Sequence, residues 1–276
     1  MAQISADEVL KLVAQGGVVD LSGKDLSGIE LFAATLKSVK FRQADLTRAN
    51  LFEADLTGCD FTGATLNRTN LEGANLTRAV LADANVKRAN LDRAMLESCE
   101  LSRADFSEAG MDGTFIGRSV AVRAIFREAN LQGAKLVESA FFRANFLDAD
   151  LTTASLSSSL FNGAGFVRVR FDFVQASHAV FADTSHREAR MRNTNFSGCT
   201  FRGADLTGAD LVGAFLEQVN FFEAKLAETA LSRASLRGAD LTGCDLSGTI
   251  LDGARYDQQT RWPAGFDPVA AGAKLE

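Results

Sequence analysis

Four cysteines, two histidines and a long series of aspartates are the side chains in this 276-residue chain that could do chemistry. Cys59, Cys99, Cys199 and Cys244 invite a metal-binding or disulfide reading. His178 and His186 are the only imidazoles, the usual agents of acid–base catalysis near neutral pH. None of these residues sits in a GxGxxG, P-loop, HExxH or nucleophile-elbow pattern. Catalysis also needs a cleft in which an acid and a base converge, so the elements that carry these residues decide whether they can react.

Those elements follow a period of five. Of the 48 positions 21, 26, 31 and onward to 256, 40 are Leu or Phe. A helix repeats every 3.6 residues and a strand every 2, so this spacing describes a solenoid whose chain turns a corner once per repeat. The position two before each large apolar centre is Ala, Ser, Thr or Cys at 41 of the 45 places from Ala34 to Ala254. Two residues per repeat therefore point inward. The slot just before the centre is often Asp or Asn, as at Asp45, Asn50, Asp205 and Asp210, whose short side chains bond locally to backbone. The two slots after the centre carry Thr, Ser, Gly, Arg or Glu, which suits a solvated face and a corner with little side-chain bulk.

Ala204-Asp205-Leu206-Thr207-Gly208 and Ala209-Asp210-Leu211-Val212-Gly213 resemble the A-(D/N)-L-x-x consensus of the pentapeptide-repeat family. The resemblance implies an all-β fold, a right-handed quadrilateral parallel β-helix with four pentapeptides per coil. The aromatic centres support a 20-residue winding independently. Phe41, Phe61, Phe141, Phe161, Phe181, Phe201 and Phe221 fall in one column at that period, and Phe106, Phe126, Phe146 and Phe166 in another, as stacked rings require. Residues 21–256 then make about 12 coils, a rod on the order of 55 Å long at the spacing of neighbouring strands.

A rod of this kind has a filled, narrow interior and no room for a small-molecule substrate. All four cysteines occupy the small inward slot, at least two coils apart and so roughly 10 Å or more from one another, too far for disulfides. They read as core packing. His178 falls in an outward slot and His186 in an inward centre, in the column of Phe166 and Leu206. Its plain reading is a core substitution, with the undersized centre Ala176 leaving room, rather than a catalytic imidazole. No cofactor or metal and no enzymatic activity is expected.

The ends depart from the repeat, as solenoid caps must. Ser5 and Glu8 form a capping-box signature, Val9, Leu12 and Val13 line one side, and Gly16-Gly17 ends the pattern. Residues 5–15 are expected to be a short helix, and 1–20 an N-terminal helical cap. Trp262, Pro263, Phe266 and Pro268 mark residues 257–276 as a C-terminal cap, leaving 21–256 as the repeat domain. The repeat breaks every apolar run well short of a membrane span, and the start lacks a secretory pattern. A bacterial, cytoplasmic protein with no membrane contact is the expectation.

Function must then lie on the outer walls. The family resemblance includes quinolone-resistance proteins, which mimic DNA and bind DNA gyrase and other type II topoisomerases. A net charge of −6 is weak mimicry, since a duplex of that length carries on the order of 30 negative charges. Outward arginines, Arg48, Arg68 and Arg88 in one stripe and Arg103, Arg123 and Arg143 in another, weaken it further. Direct nucleic-acid binding does not fit a sequence pI near 5.1. The more informative region is 115–192, where outward slots turn apolar at Val120, Val122, Ala140, Phe142, Leu160, Val180 and Ala182 beside centres of one column. An exposed apolar strip marks an interface. Arg168, Arg170, Arg187, Arg190 and Arg192 are expected nearby as its basic rim, with Arg170 and Arg190 one coil apart. Phe32 and Phe52 add a smaller site near the start. The chain reads as a scaffold for protein–protein interaction whose partner is another protein or a second copy of itself. The alternatives are a gyrase-directed DNA mimic and an accessory or effector protein of a bacterial secretion system, which resembles this chain in its short helical start and degenerate central repeats.

Overall fold

The computed structural model describes residues 4–276, so the first three residues of the expected N-terminal cap lie outside the described residues. The chain forms two compact units, Met1–Lys135 and Leu136–Glu276.

Each unit is a β-helix built from one repeated device. The residue before each apolar centre makes a parallel bridge to the residue 20 positions later, from Asp20↔Lys40 to Phe115↔Lys135 in the first unit and from Ala140↔Leu160 to Ser235↔Arg255 in the second. One coil is thus 20 residues, and four bridge ladders run along each unit. Three backbone bonds per pentapeptide tie a coil to the next: the N–H groups of Leu21 and Gly23 donate to the carbonyls of Lys40 and Arg42, both at 2.8 Å, and the Asp45 N–H donates back to the Lys24 carbonyl at 2.9 Å.

The corners follow from local hydrogen bonding. In the second unit the Ala204 N–H donates to the Phe201 carbonyl three residues back at 2.9 Å, closing a turn. Its third residue, Gly203, has φ 67°. The corner does not depend on glycine, because Arg143, Glu138 and Asp183 hold the same left-handed conformation, at a cost of roughly 1–2 kcal/mol each that ladder bonding offsets. Side-chain bulk is therefore tolerated there, since the corner side chains project away from the winding. The Asp or Asn before the centre adds a second lock. Asp205 Oδ1 accepts the Thr207 N–H at 3.0 Å and the Thr207 hydroxyl at 2.6 Å.

The inward slots fill completely. Phe41 stacks on Phe61 at 5.0 Å in the first unit, and Phe141, Phe161, Phe181 and Phe201 stack at 4.8–5.1 Å in the second. Burying each such side chain contributes about 1.5–3 kcal/mol. The small slot holds Ala, or a thiol or hydroxyl that finds a backbone acceptor. Cys59 Sγ donates to the Leu36 carbonyl at 2.9 Å, Cys199 Sγ to that of Ala176 at 2.7 Å, and Thr229 Oγ1 to that of Leu206 at 2.9 Å.

At the start, helix α1 spans Ala6–Ala14 with both bonds of the capping box between Ser5 and Glu8. Val9 is fully buried, whereas Leu12 stays exposed, so the apolar side of α1 is only partly covered. At the other end, strand β1, Arg255–Tyr256, pairs in parallel with β2, Lys274–Leu275, and Trp262 packs edge-on against Tyr256 and stacks on Phe266.

Candidate protein-binding face

The four cysteines and one of the two histidines are sealed inside. All four cysteines are free and buried, and burial pushes each thiol up to about 12. His186 is fully enclosed, stacked on Phe166 at 4.8 Å and edge-on to Phe181 and Phe201. Neither ring nitrogen has a hydrogen-bond partner among the described residues, and burial pulls its pKa down to about 3. His178 is exposed. Among the described residues, no group of three or more His, Cys, Asp or Glu is placed to hold a metal, and no helix is long and apolar enough to cross a membrane.

The outer walls differ sharply from one another. In the second unit one ladder joins Ala140, Leu160, Val180 and Thr200. On the far side of the buried centres Phe141, Phe161 and Phe181 stand Phe142, Asn162 and Ala182, held in register by bonds from the Arg143 N–H to the Asn162 carbonyl and from the Gly163 N–H to the Ala182 carbonyl. Leu160 is 38% exposed, and Phe142 and Val180 are half-buried. The result is an apolar face three coils deep over a rigid aromatic stack. Val120, 41% exposed, and the half-buried Val122 belong to the first unit, as do the exposed Phe32 and half-buried Phe52, one coil apart.

The arginines expected to rim this face do not. Arg170 and Arg190 are joined one coil apart, but in the ladder Asp150–Arg170–Arg190–Asp210, half a coil away from Leu160 and Val180. A displacement of ten residues in a 20-residue coil carries a side chain two ladders round. Arg192 shares that second wall. Nor are these arginines free: Arg170 pairs with Asp150 at 3.2 Å, Arg190 with the nearly buried Asp172 at 2.6 Å, and Arg192 with Asp210. Arg168 and Arg187 pair with Asp148 and Asp205. Of the outward stripes in the first unit, Arg88 pairs with Glu108 and Arg103 with Asp83. The Arg103 guanidinium holds the Asp83 carboxyl below its ordinary range.

The side chains that do border the apolar face include two that the residue pattern placed in outward slots, Arg143 and His178, and two that it did not single out, Glu138 and Asp183. Glu138 and His178 occupy the corner on one side, Arg143 and Asp183 the corner on the other. None of the four has an ion-pair partner among the described residues. The signal that finds them is the 20-residue period applied to corner slots as well as to centres.

A family model described as "Pentapeptide repeats" matches in eight copies, over residues that include 29–68, 44–81, 74–113, 123–163, 177–213, 187–221 and 220–255. No curated protein sequence matches the chain. Among solved structures, HetL, a pentapeptide repeat protein involved in heterocyst differentiation regulation from the cyanobacterium Nostoc sp. strain PCC 7120, is 25% identical, with 94% of this chain and 95% of that one covered and a TM-score of 0.31. The alr5209 protein, a pentapeptide repeat protein of Nostoc PCC 7120, is 29% identical over 39% of this chain and 86% of its own, with a TM-score of 0.25. Full-length QnrB1, a plasmid-mediated fluoroquinolone resistance protein, is 15% identical over 80% and 91%, with a TM-score of 0.26.

Proposed function

The chain belongs to the pentapeptide-repeat family, and from that premise we propose that it is a non-enzymatic scaffold that binds protein through its outer walls, chiefly the apolar face of the second unit. One observation carries this reading: Phe142, Leu160 and Val180 offer apolar surface on one wall, while the wall of Asp150, Arg170, Arg190 and Asp210 satisfies its arginines internally. Desolvating such a face costs little and returns hydrophobic free energy, while the paired wall has nothing to gain from a partner. Val120 and Val122 are assigned the same role in the first unit.

The finer architecture belongs to the same reading. The winding is right-handed and four-sided over about 12 coils, residues 1–20 and 257–276 cap a repeat domain of 21–256, and the protein works in the bacterial cytoplasm. A gyrase-directed mimic needs free carboxylates along its length, and here Asp83, Asp148, Asp172 and Asp210 are engaged by arginines.

Affinity capture from a bacterial lysate with the wild type beside Phe142→Asp tests the proposal. A protein retained by the first and lost from the second supports it; equal capture by both overturns it. A supercoiling assay run alongside is expected to show no inhibition of gyrase, and inhibition at low micromolar concentration would favour mimicry instead.

A further inference from the structure

We propose that the occupant of this apolar face is a second copy of the chain, packed antiparallel about a two-fold axis that crosses the face at Leu160. The inference rests on the preceding reading of the face as a protein contact and adds the partner and its register.

An isologous two-fold contact demands that a surface complement itself. With the axis lying in the face, perpendicular to the ladder and level with Leu160, each residue meets the copy of the one equally far along the ladder on the other side. Ala140, Leu160 and Val180 are successive rungs, so Ala140 meets Val180 and Leu160 meets itself. On the parallel column Phe142 meets Ala182, large against small. Asn162 meets Asn162, and a side-chain amide carries both a donor and an acceptor, so the pair can bond reciprocally.

The borders agree. Arg143, Gly163 and Asp183 form one corner column, with the Arg143 N–H bonded to the Asn162 carbonyl and the Asp183 N–H to that of Arg202. Reversing the column sets Arg143 against Asp183 twice, with glycine at the middle. The other corner holds Glu138, Ser158 and His178, one coil apart, and reversal sets Glu138 against His178. Arg143 therefore meets Asp183 and Glu138 meets the imidazole of His178, and all four lack ion-pair partners within the chain among the described residues. A parallel two-fold also neutralises the rim, pairing Arg143 with Glu138, but it lays Leu160 against Asn162 and strands an amide on an apolar group. The antiparallel register avoids that.

The face is smaller than the ~800 Å² per partner of a standard interface, so the dimer is expected to be weak, with a dissociation constant on the order of micromolar. Sedimentation equilibrium of the full chain is the test. The wild type is expected to dimerise, and Arg143→Asp and Asp183→Arg each to weaken association about tenfold or more by placing like charges together. An equimolar mixture of the two variants is expected to restore it, because each then supplies the charge the other lacks. Far-UV circular dichroism confirms that both variants fold, as expected at exposed corners where Arg and Asp both occur. A wild type that stays monomeric at about 200 μM, well above a micromolar constant, overturns the second copy, and the scaffold reading survives if capture still depends on Phe142. Rescue of Arg143→Asp by Glu138→Arg in the same chain, with no rescue by mixing, overturns the antiparallel register in favour of the parallel one. A dimer unaffected by Phe142→Asp sinks both readings.

Discussion

Two walls of the second unit share a backbone and differ in everything displayed on it. Along Asp150, Arg170, Arg190 and Asp210 every arginine finds a carboxylate, one of them the nearly buried Asp172, which also accepts the Arg192 N–H at 3.1 Å. Along Ala140, Leu160 and Val180 nothing polar is satisfied or missing, and the charges sit unpaired at the edges. The ladder and the filled core are indifferent to this choice. Because stacking uses only two inward residues and the backbone, the outward slots are free to serve either self-consistency or a partner.

The largest test of that indifference strikes the shared interior. Leu151→Asp lies beneath the charged wall and Phe161→Asp beneath the apolar one, and both centres are fully buried. Each puts an unpaired carboxylate into an apolar layer, and both are expected to cost about 4 kcal/mol or more. Loss of far-UV signal together with rapid proteolysis of the second unit would register it. If one wall's centre tolerated the change, the core would not be common property, and the comparison would fail.

His186 gives a smaller effect with a sign fixed by burial. The unfolded chain takes up a proton near 6.5, and the folded ring resists protonation down to about 3. Stability tied to this ring is therefore intact above pH 6.5 and lost as pH falls toward 3, because the unfolded state binds the extra proton. At pH 4.5 the penalty is about 2–3 kcal/mol. Urea midpoints for the wild type and His186→Phe at pH 7.5 and 4.5 measure it. The variant is expected to be at least as stable at the higher pH and clearly more so at the lower; equal acid sensitivity in the two would mean that the carboxylates dominate.

The interior was legible in the sequence because stacking forces a residue type at every fifth position, with no exception needed for function. Column membership of Phe166 and His186, the inward cysteines and the Ser5–Glu8 helix start all follow from spacing and local bonding. The apolar face was legible for the same reason, as a departure from an otherwise polar pattern. The arginines were not, because closeness along the chain misleads in a coil of 20: Arg170 lies ten residues from Leu160 and Val180 alike, and ten is half a turn. Their pairing was hidden too, since Arg190 and Asp172 are 18 apart and meet only when one coil lies above the next. The left-handed corner was the third concealed feature. A backbone conformation usually left to glycine is occupied by Arg143 and Glu138, because hydrogen bonds to neighbouring coils hold it in place.

Each wall can be tested separately by a mutation that the other should ignore. Asp172→Asn removes the charge facing Arg190 but leaves an oxygen to accept the Arg192 N–H, so about 1 kcal/mol of stability is expected to go and association to stay unchanged. Phe142→Asp is the converse and the smallest in stability. Its ring is only half-buried at the outer wall, so a carboxylate there keeps most of its water, and the expected change is within about 0.5 kcal/mol. Association should nevertheless be lost, because in a contact that sets Phe142 against Ala182 the new charge would be desolvated with no counter-ion. Chemical denaturation and sedimentation on the same sample separate the two outcomes. A variant that unfolds would place Phe142 in the core's service, and one that remains associated would leave the apolar wall, like its charged counterpart, complete without a partner.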